Sequence, residues 1–142
     1  MSVFVLDCSV TASWLFKDEA NAAADRLVRE LETGRAYVPE LWHLEVANVL
    51  LQGERRGRIS RDDILAKLSL LEGLPIEIEG ETGSRALKQI LSLARRCGLT
   101  TYDAAYLELA ISLDLPLATL DKALIRAAAD AGVKTIPGAG TA

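Results

Sequence analysis

The sequence predicts an α/β fold, a central parallel sheet of about five short strands with helices on both faces. Two observations lead there. Short apolar runs alternate with segments of helical periodicity along the whole chain. The clearest strand candidate, Val3-Phe4-Val5-Leu6, is continuously apolar and rich in β-branched residues, as a strand buried on both faces should be.

The elements follow in order. Residues 9–17 read as a short helix with Ser9 as N-cap. In 20–31, Ala20, Ala23, Ala24, Leu27, Val28 and Leu31 share one face, and Gly34 stops the helix. Residues 35–38 are a strand candidate ended by Pro39. Residues 41–55 form a strong helix, closed near Gly57. Ser60 and Asp63 make a capping-box-like start to a helix through Leu71, and Gly73-Leu74-Pro75 ends it. Residues 76–79 alternate like a half-buried strand. In 84–97, Leu87, Ile90, Leu91 and Ala94 lie on one face. Helix 101–113, strand 117–120, helix 121–131 and strand 133–136 complete the pattern. Residues 1–136 thus read as one domain and 137–142 as a mobile tail.

Composition narrows the function. The 142 residues suit one domain with a real core. A net charge of −4 gives the whole molecule no attraction for nucleic acid, so any such contact needs a local basic patch or metal ions. Two distant cysteines, Cys8 and Cys97, and one histidine, His43, argue against a zinc site. Few cysteines fit a reducing, cytoplasmic setting. No signal peptide or membrane span is expected, because Asp7 interrupts the first apolar run and no run reaches spanning length.

Four of the twenty acidic residues differ from surface charges in their surroundings. Asp7 ends the first strand, where an unpaired buried carboxylate would be costly; capping the next helix is the plainer role. Glu45 lies in a helix that is apolar almost all round, and aligns with Asn48 and Gln52 in one narrow stripe. That stripe faces either solvent or a polar cleft in an otherwise buried helix. Asp103 opens helix 101–113 on its inward face, with Glu108 and Ser112 outward; a first-turn acid also complements the helix dipole. Asp121 follows Thr119-Leu120 at a strand end, where Asp is a leading N-cap. If the four converge, a cation must offset their repulsion, since two unit charges 4 Å apart cost roughly 4 kcal/mol at an effective dielectric near 20. Hard oxygen ligands suit Mg²⁺ or Mn²⁺. Such a site can activate water and stabilise the leaving oxygen of a phosphodiester.

Taken in order, the stretches strand-Asp7-x-Ser9, Glu45-x-x-Asn48, Thr101-x-Asp103-Ala104 and Thr119-x-Asp121-x-x-Leu124 resemble a PIN domain, and within it the VapC-type ribonuclease toxins. The resemblance covers nearly the whole chain with no acidic position missing. It implies a Mg²⁺- or Mn²⁺-dependent endoribonuclease in which Asp7, Glu45, Asp103 and Asp121 hold the metal and a metal-bound water attacks. Ser9, Asn48 and Thr119 would support the site. It further implies an RNA substrate (tRNA or rRNA), a VapB-like antitoxin lying along the cleft, and a homodimer.

Arg55, Arg56, Arg58 and Arg61 form a basic cluster that is either a solvated helix end or a phosphate contact. Arg95 and Arg96 suit the end of a helix. His43 lies off the Glu45 stripe and is not assigned as a base. Trp14, Trp42, Tyr102 and Tyr106 read as core or interface, and Cys8 as buried. The competing function is a non-catalytic module of the same fold that engages a partner protein or RNA. A phosphoacceptor domain needs an acidic pair after the first strand, and a sugar-phosphatase-like site needs Asp-x-Asp; Cys8-Ser9 fits neither.

Overall fold

Val3–Leu6 (β1) is the middle strand of the sheet, and Phe4, Val5 and Leu6 are fully buried. The computed structural model describes residues 2–80 and 82–138. Among them four further strands, Arg35–Pro39 (β2), Ile76–Glu79 (β3), Leu117–Ala118 (β4) and Thr135–Ile136 (β5), pair in parallel in the order β3-β2-β1-β4-β5. Val5 lies opposite Tyr37 on one side and Leu117 on the other.

The chain therefore starts in the centre, adds β2 and β3 outward, then returns to the opposite side of β1 for β4 and β5. Right-handed crossovers place the connections before and after this reversal on opposite faces. The first group comprises Cys8–Leu15 (α1), Ala22–Glu30 (α2), Leu41–Arg55 (α3) and Arg61–Glu72 (α4). The second comprises Thr82–Arg85 (α5), Leu91–Cys97 (α6), Thr101–Leu113 (α7) and Lys122–Asp130 (α8). Leu27 and Leu31 from the first group, and Leu107, Leu109 and Leu124 from the second, join the β1 side chains in one apolar core. A crevice between β1 and β4, at their carboxyl ends, is the place where such sheets hold ligands.

Three expectations are corrected. Helix 84–97 is not continuous: Ala86–Ile90 forms a wide π turn between α5 and α6. The wide turn breaks the helical phase. Ile90, Leu93 and Ala94 face inward, whereas Leu87 is 84% exposed and Leu91 is also exposed. The π turn, α6 and α7 instead meet through Ile90, Ala94, Ala104 and Ala105, with Leu41 of α3 packed against them. Second, α3 is not buried on most sides. Trp42, Val46, Leu50 and Gly53 reach the core, while Leu44 is 76% exposed and Ala47 and Leu51 face water. Third, Glu108 does not mark an outward face; it is buried and paired with Arg85 at 3.0 Å. The charge is tolerated there because a cation accompanies it.

Smaller shifts occur at element ends. Asn21, not Ala20, begins α2 and accepts from Ala24 N–H. Ser60 caps α4 as expected, accepting from Asp63 N–H at 3.1 Å. Of the tail expected over 137–142, Pro137 and Gly138 border a shallow hollow shared with Ala23, Arg26 and Leu27 of α2. Residues 139–142 lie outside the described residues. No helix among the described residues is long and apolar enough to cross a membrane.

Gly34 is required by close approach. A Cβ there would come within 2.0 Å of the Ser2 carbonyl oxygen and 2.9 Å of that of Glu30. Both are main chain, and Ser2 already accepts from Arg35 N–H at 2.9 Å, so neither can yield cheaply. Gly34→Ala is expected to cost about 3 kcal/mol, the upper end of overpacking penalties. Thermal unfolding should show the midpoint falling by roughly 10 °C.

Candidate active site

Asp7 occupies the N-cap position of α1 but makes no side-chain cap hydrogen bond. Its carboxylate turns aside: Oδ2 accepts from Ser9 Oγ at 2.7 Å and from Thr119 Oγ1 at 2.8 Å. Ser9 is accordingly not the N-cap. Its Oγ reaches across to β4's outgoing chain and accepts from Leu120 N–H at 2.9 Å. Thr119 Oγ1 accepts from Asp121 N–H at 3.1 Å. Asp7 N–H itself donates to Ala118 O at 3.0 Å. The ends of β1 and β4 are thus sewn together by main-chain and hydroxyl bonds around one buried carboxylate, 5% exposed.

The other three acids reach this point from separate elements. Asp121 caps α8, its Oδ1 accepting from Leu124 N–H at 2.9 Å. The capping role and a place beside Asp7 coexist. Asp103 lies half-buried in the first turn of α7, whose N-cap Thr100 accepts from Asp103 N–H at 3.1 Å. Glu45 is half-buried on α3, and Tyr106 of α7 donates its hydroxyl to Glu45 Oε1.

Electrostatics show the convergence. Burial raises the Asp7 carboxyl above its ordinary range; the Ser9 and Thr119 hydroxyls oppose this, and the charges of Asp103 and Asp121 add to it. Glu45 is raised by burial, opposed by the Tyr106 hydroxyl, and raised further by Asp7 and Asp103. Asp103 is raised by burial and by Asp121, with Thr100 opposing. Asp7, Asp103 and Asp121 thus each raise at least one other acid of the set, and Glu45 feels two of them. Burial and the Glu45 carboxylate likewise push the Tyr106 phenol far above its usual range, so it stays a donor. Burial, Glu45 and Asp7 push the Cys8 thiol up to about 12.

The PIN domain family model matches residues 4–130. The chain belongs to the PIN domain family. It is also 32% identical over 120 residues to Ribonuclease VapC3 of Pyrobaculum aerophilum, covering 84% of this chain and 90% of that protein. The crystal structure of PAE2754 from Pyrobaculum aerophilum superposes with a TM-score of 0.71 at 23% identity, over 95% of this chain and 84% of that one. That likeness establishes the fold.

In this PIN domain the donor set is chemically suited to a hard divalent ion: four carboxylates that couple electrostatically, with two hydroxyls on Asp7. Among the described residues no three His, Cys, Asp or Glu side chains are drawn close enough to enclose an ion by themselves. Mg²⁺ does not demand that, because it keeps several waters and takes one or two carboxylates directly. The fit is thus one of chemistry and placement.

The remaining candidates separate. Asn48 is exposed one turn beyond Glu45. Arg58 leaves the basic cluster: it bonds Asp18 and Glu19, each at 2.8 Å, and lies 4.2 Å over the Phe16 ring. Arg55, Arg56 and Arg61 are exposed. His43 packs edge-on to Trp42 at 4.8 Å. Trp14 and Trp42 donate to Ala24 O and Thr11 Oγ1. Tyr102 is exposed, not core, and Cys8 is half-buried rather than buried. Sequence reasoning missed Tyr106 as a site residue. Its spacing of one helical turn from Asp103 was the available signal.

The raised carboxylates fix a sign for pH dependence. A native pKa above the unfolded value, 3.8 for Asp, means the folded state holds its proton more tightly. The associated stability is full below that unfolded value and is lost as pH rises through the native one. In chelator, the thermal midpoint of the metal-free protein should therefore fall from about pH 4 upward. Asp7→Asn should raise that midpoint at neutral pH and flatten the profile, as scanning calorimetry would show.

Proposed function

We infer that this chain is a divalent-metal-dependent endoribonuclease of the VapC kind. The observation that carries the reading is the gathering of Asp7, Glu45, Asp103 and Asp121, from four separate stretches, at the β1/β4 crevice. The relative named Ribonuclease VapC3 supports a nuclease acting on RNA. Residues 1–136 act as a single PIN domain in this reading.

Each residue has a definite task. Asp7, Asp121 and Glu45 each commit one carboxylate oxygen to the protein: Oδ2 to Ser9 and Thr119, Oδ1 to Leu124 N–H, Oε1 to Tyr106. The second oxygen of each, together with the Asp103 carboxylate, would be left to hold Mg²⁺ or Mn²⁺, one or two of them directly and the others through the ion's waters. When bound, the ion supplies charge neutralisation at the phosphodiester and lowers the pKa of an attacking water. Ser9 and Thr119 hold Asp7 in one orientation. Asp103 and Asp121, half-buried at the rim, face the incoming RNA. Neutralising the acids is also what lets a polyanion approach a chain of net charge −4.

The same reading assigns tRNA or rRNA as substrate, a VapB-like antitoxin as inhibitor, a cytoplasmic setting and a homodimer. Leu44, Leu87 and Leu91 are exposed, and such apolar side chains in water support a contact between copies.

The test is cleavage of total cellular RNA by purified protein with Mn²⁺, with chelator, and with Asp103→Asn. Discrete fragments should need the metal, and Asp103→Asn should lower the rate at least about 100-fold, the scale of losing one electrostatic group at a reacting centre. Millimolar Mn²⁺ should also raise the thermal midpoint of the wild type. Metal binding without any cleavage would favour a binding module that kept its acidic crevice.

A further inference from the structure

We propose that Tyr106 is a positioning residue of the acidic site: its buried hydroxyl fixes the orientation of Glu45 and so sets both the affinity for the divalent ion and the rate of RNA cleavage. This rests on the metal-dependent reading above and deepens it.

Tyr106 is 0% exposed, within a stretch of α7, residues 104–110, that is buried throughout. Among such neighbours a leucine or phenylalanine would fill the space. A buried phenol additionally demands a hydrogen-bond partner. The partner is not a nearby carbonyl of its own helix but Glu45 Oε1, sixty-one residues earlier on α3.

Glu45 needs such a contact more than Asp7 or Asp121 does. Asp7 is clamped by two hydroxyls, and Asp121 by the first turn of α8. Glu45 projects from the middle of a helix on three rotatable bonds, beside like charges on Asp7 and Asp103 that repel it. A donor on one oxygen holds the side chain against that repulsion and leaves the other oxygen for the ion. Asp103 stands one turn before Tyr106 on the same helix, so α7 places one carboxylate directly and a second through the phenol. Groups that orient ligands from behind commonly change metal affinity or activity by about 10–100-fold.

The test compares wild type, Tyr106→Phe, Glu45→Gln and the double variant by Mn²⁺ titration calorimetry and by RNA cleavage. Leu31→Val, a core change just beyond the end of α2, serves as control for simple loosening. Tyr106→Phe should weaken Mn²⁺ binding about 10-fold and lower kcat with little change in KM, while Leu31→Val should alter neither. The double variant should bind Mn²⁺ no more weakly than Glu45→Gln alone, because the phenol acts through that carboxylate. A Tyr106→Phe protein that binds Mn²⁺ and turns over like wild type, or losses that add in the double variant, would overturn the assignment and leave the nuclease reading standing. A wild type that neither binds Mn²⁺ nor cleaves would overturn both. Should Tyr106→Phe fold poorly, the Tyr106 ring-carbon signal of labelled protein decides instead. Mg²⁺ should shift it in the wild type and not in Glu45→Gln; an equal shift in both would overturn the proposal.

Discussion

Asp7 lies almost out of water, and a carboxylate there needs donors. Two hydroxyls, from Ser9 and Thr119, meet its Oδ2, and this three-residue contact holds the ends of β1 and β4 at a fixed separation. Much else follows. Ser9 cannot cap α1, because its oxygen is engaged across the crevice. Thr119 must be fully buried, and Asp121 is placed two residues later by its N–H bond to the same hydroxyl. The reversal of strand order opens a crevice at this spot, and the need to satisfy one buried charge determines its lining.

α7 is the second fixed element. It packs on β1 and β2, its residues 104–110 are all buried, and it carries Asp103 at its mouth and Tyr106 within. A helix so embedded cannot rotate without disturbing the core, which suits it to hold charged groups in place. α3 is held less tightly, with one face in water, and its acid is steadied from α7. The Arg85–Glu108 pair fastens the segment before the π turn to this same helix.

Much of this was legible in the sequence, for identifiable reasons. A charge ending a continuously apolar strand marked Asp7, and turn chemistry marked Asp121 as a cap. The alternation of strands and helices carried the fold class. Strand order was not legible, because local pattern does not reveal which strands become neighbours. Helical periodicity misled where its premise failed. The π turn shifted the phase at Leu87, and Glu108 was placed outward because a wheel cannot show an arginine arriving from another helix. Helix α3 is apolar almost all round, yet Leu44 stands in water, because an apolar residue does not by itself specify what covers it. Tyr106 was recognised as core, but the destination of its hydroxyl depends on α3, far away in sequence.

β4 and β5 are each two residues long, against four and five for β1 and β2. The half of the crevice that supplies Thr119 and Asp121 therefore hangs on a ladder with few rungs, while the half that supplies Asp7 sits at the centre of the sheet. Local opening at that margin costs less than global unfolding. Amide protons of Leu117 and Thr119 would thus exchange with solvent ahead of those in β1 and β2, and the site would come apart from the β4 side, the departure of Thr119 leaving Asp7 with the Ser9 hydroxyl alone.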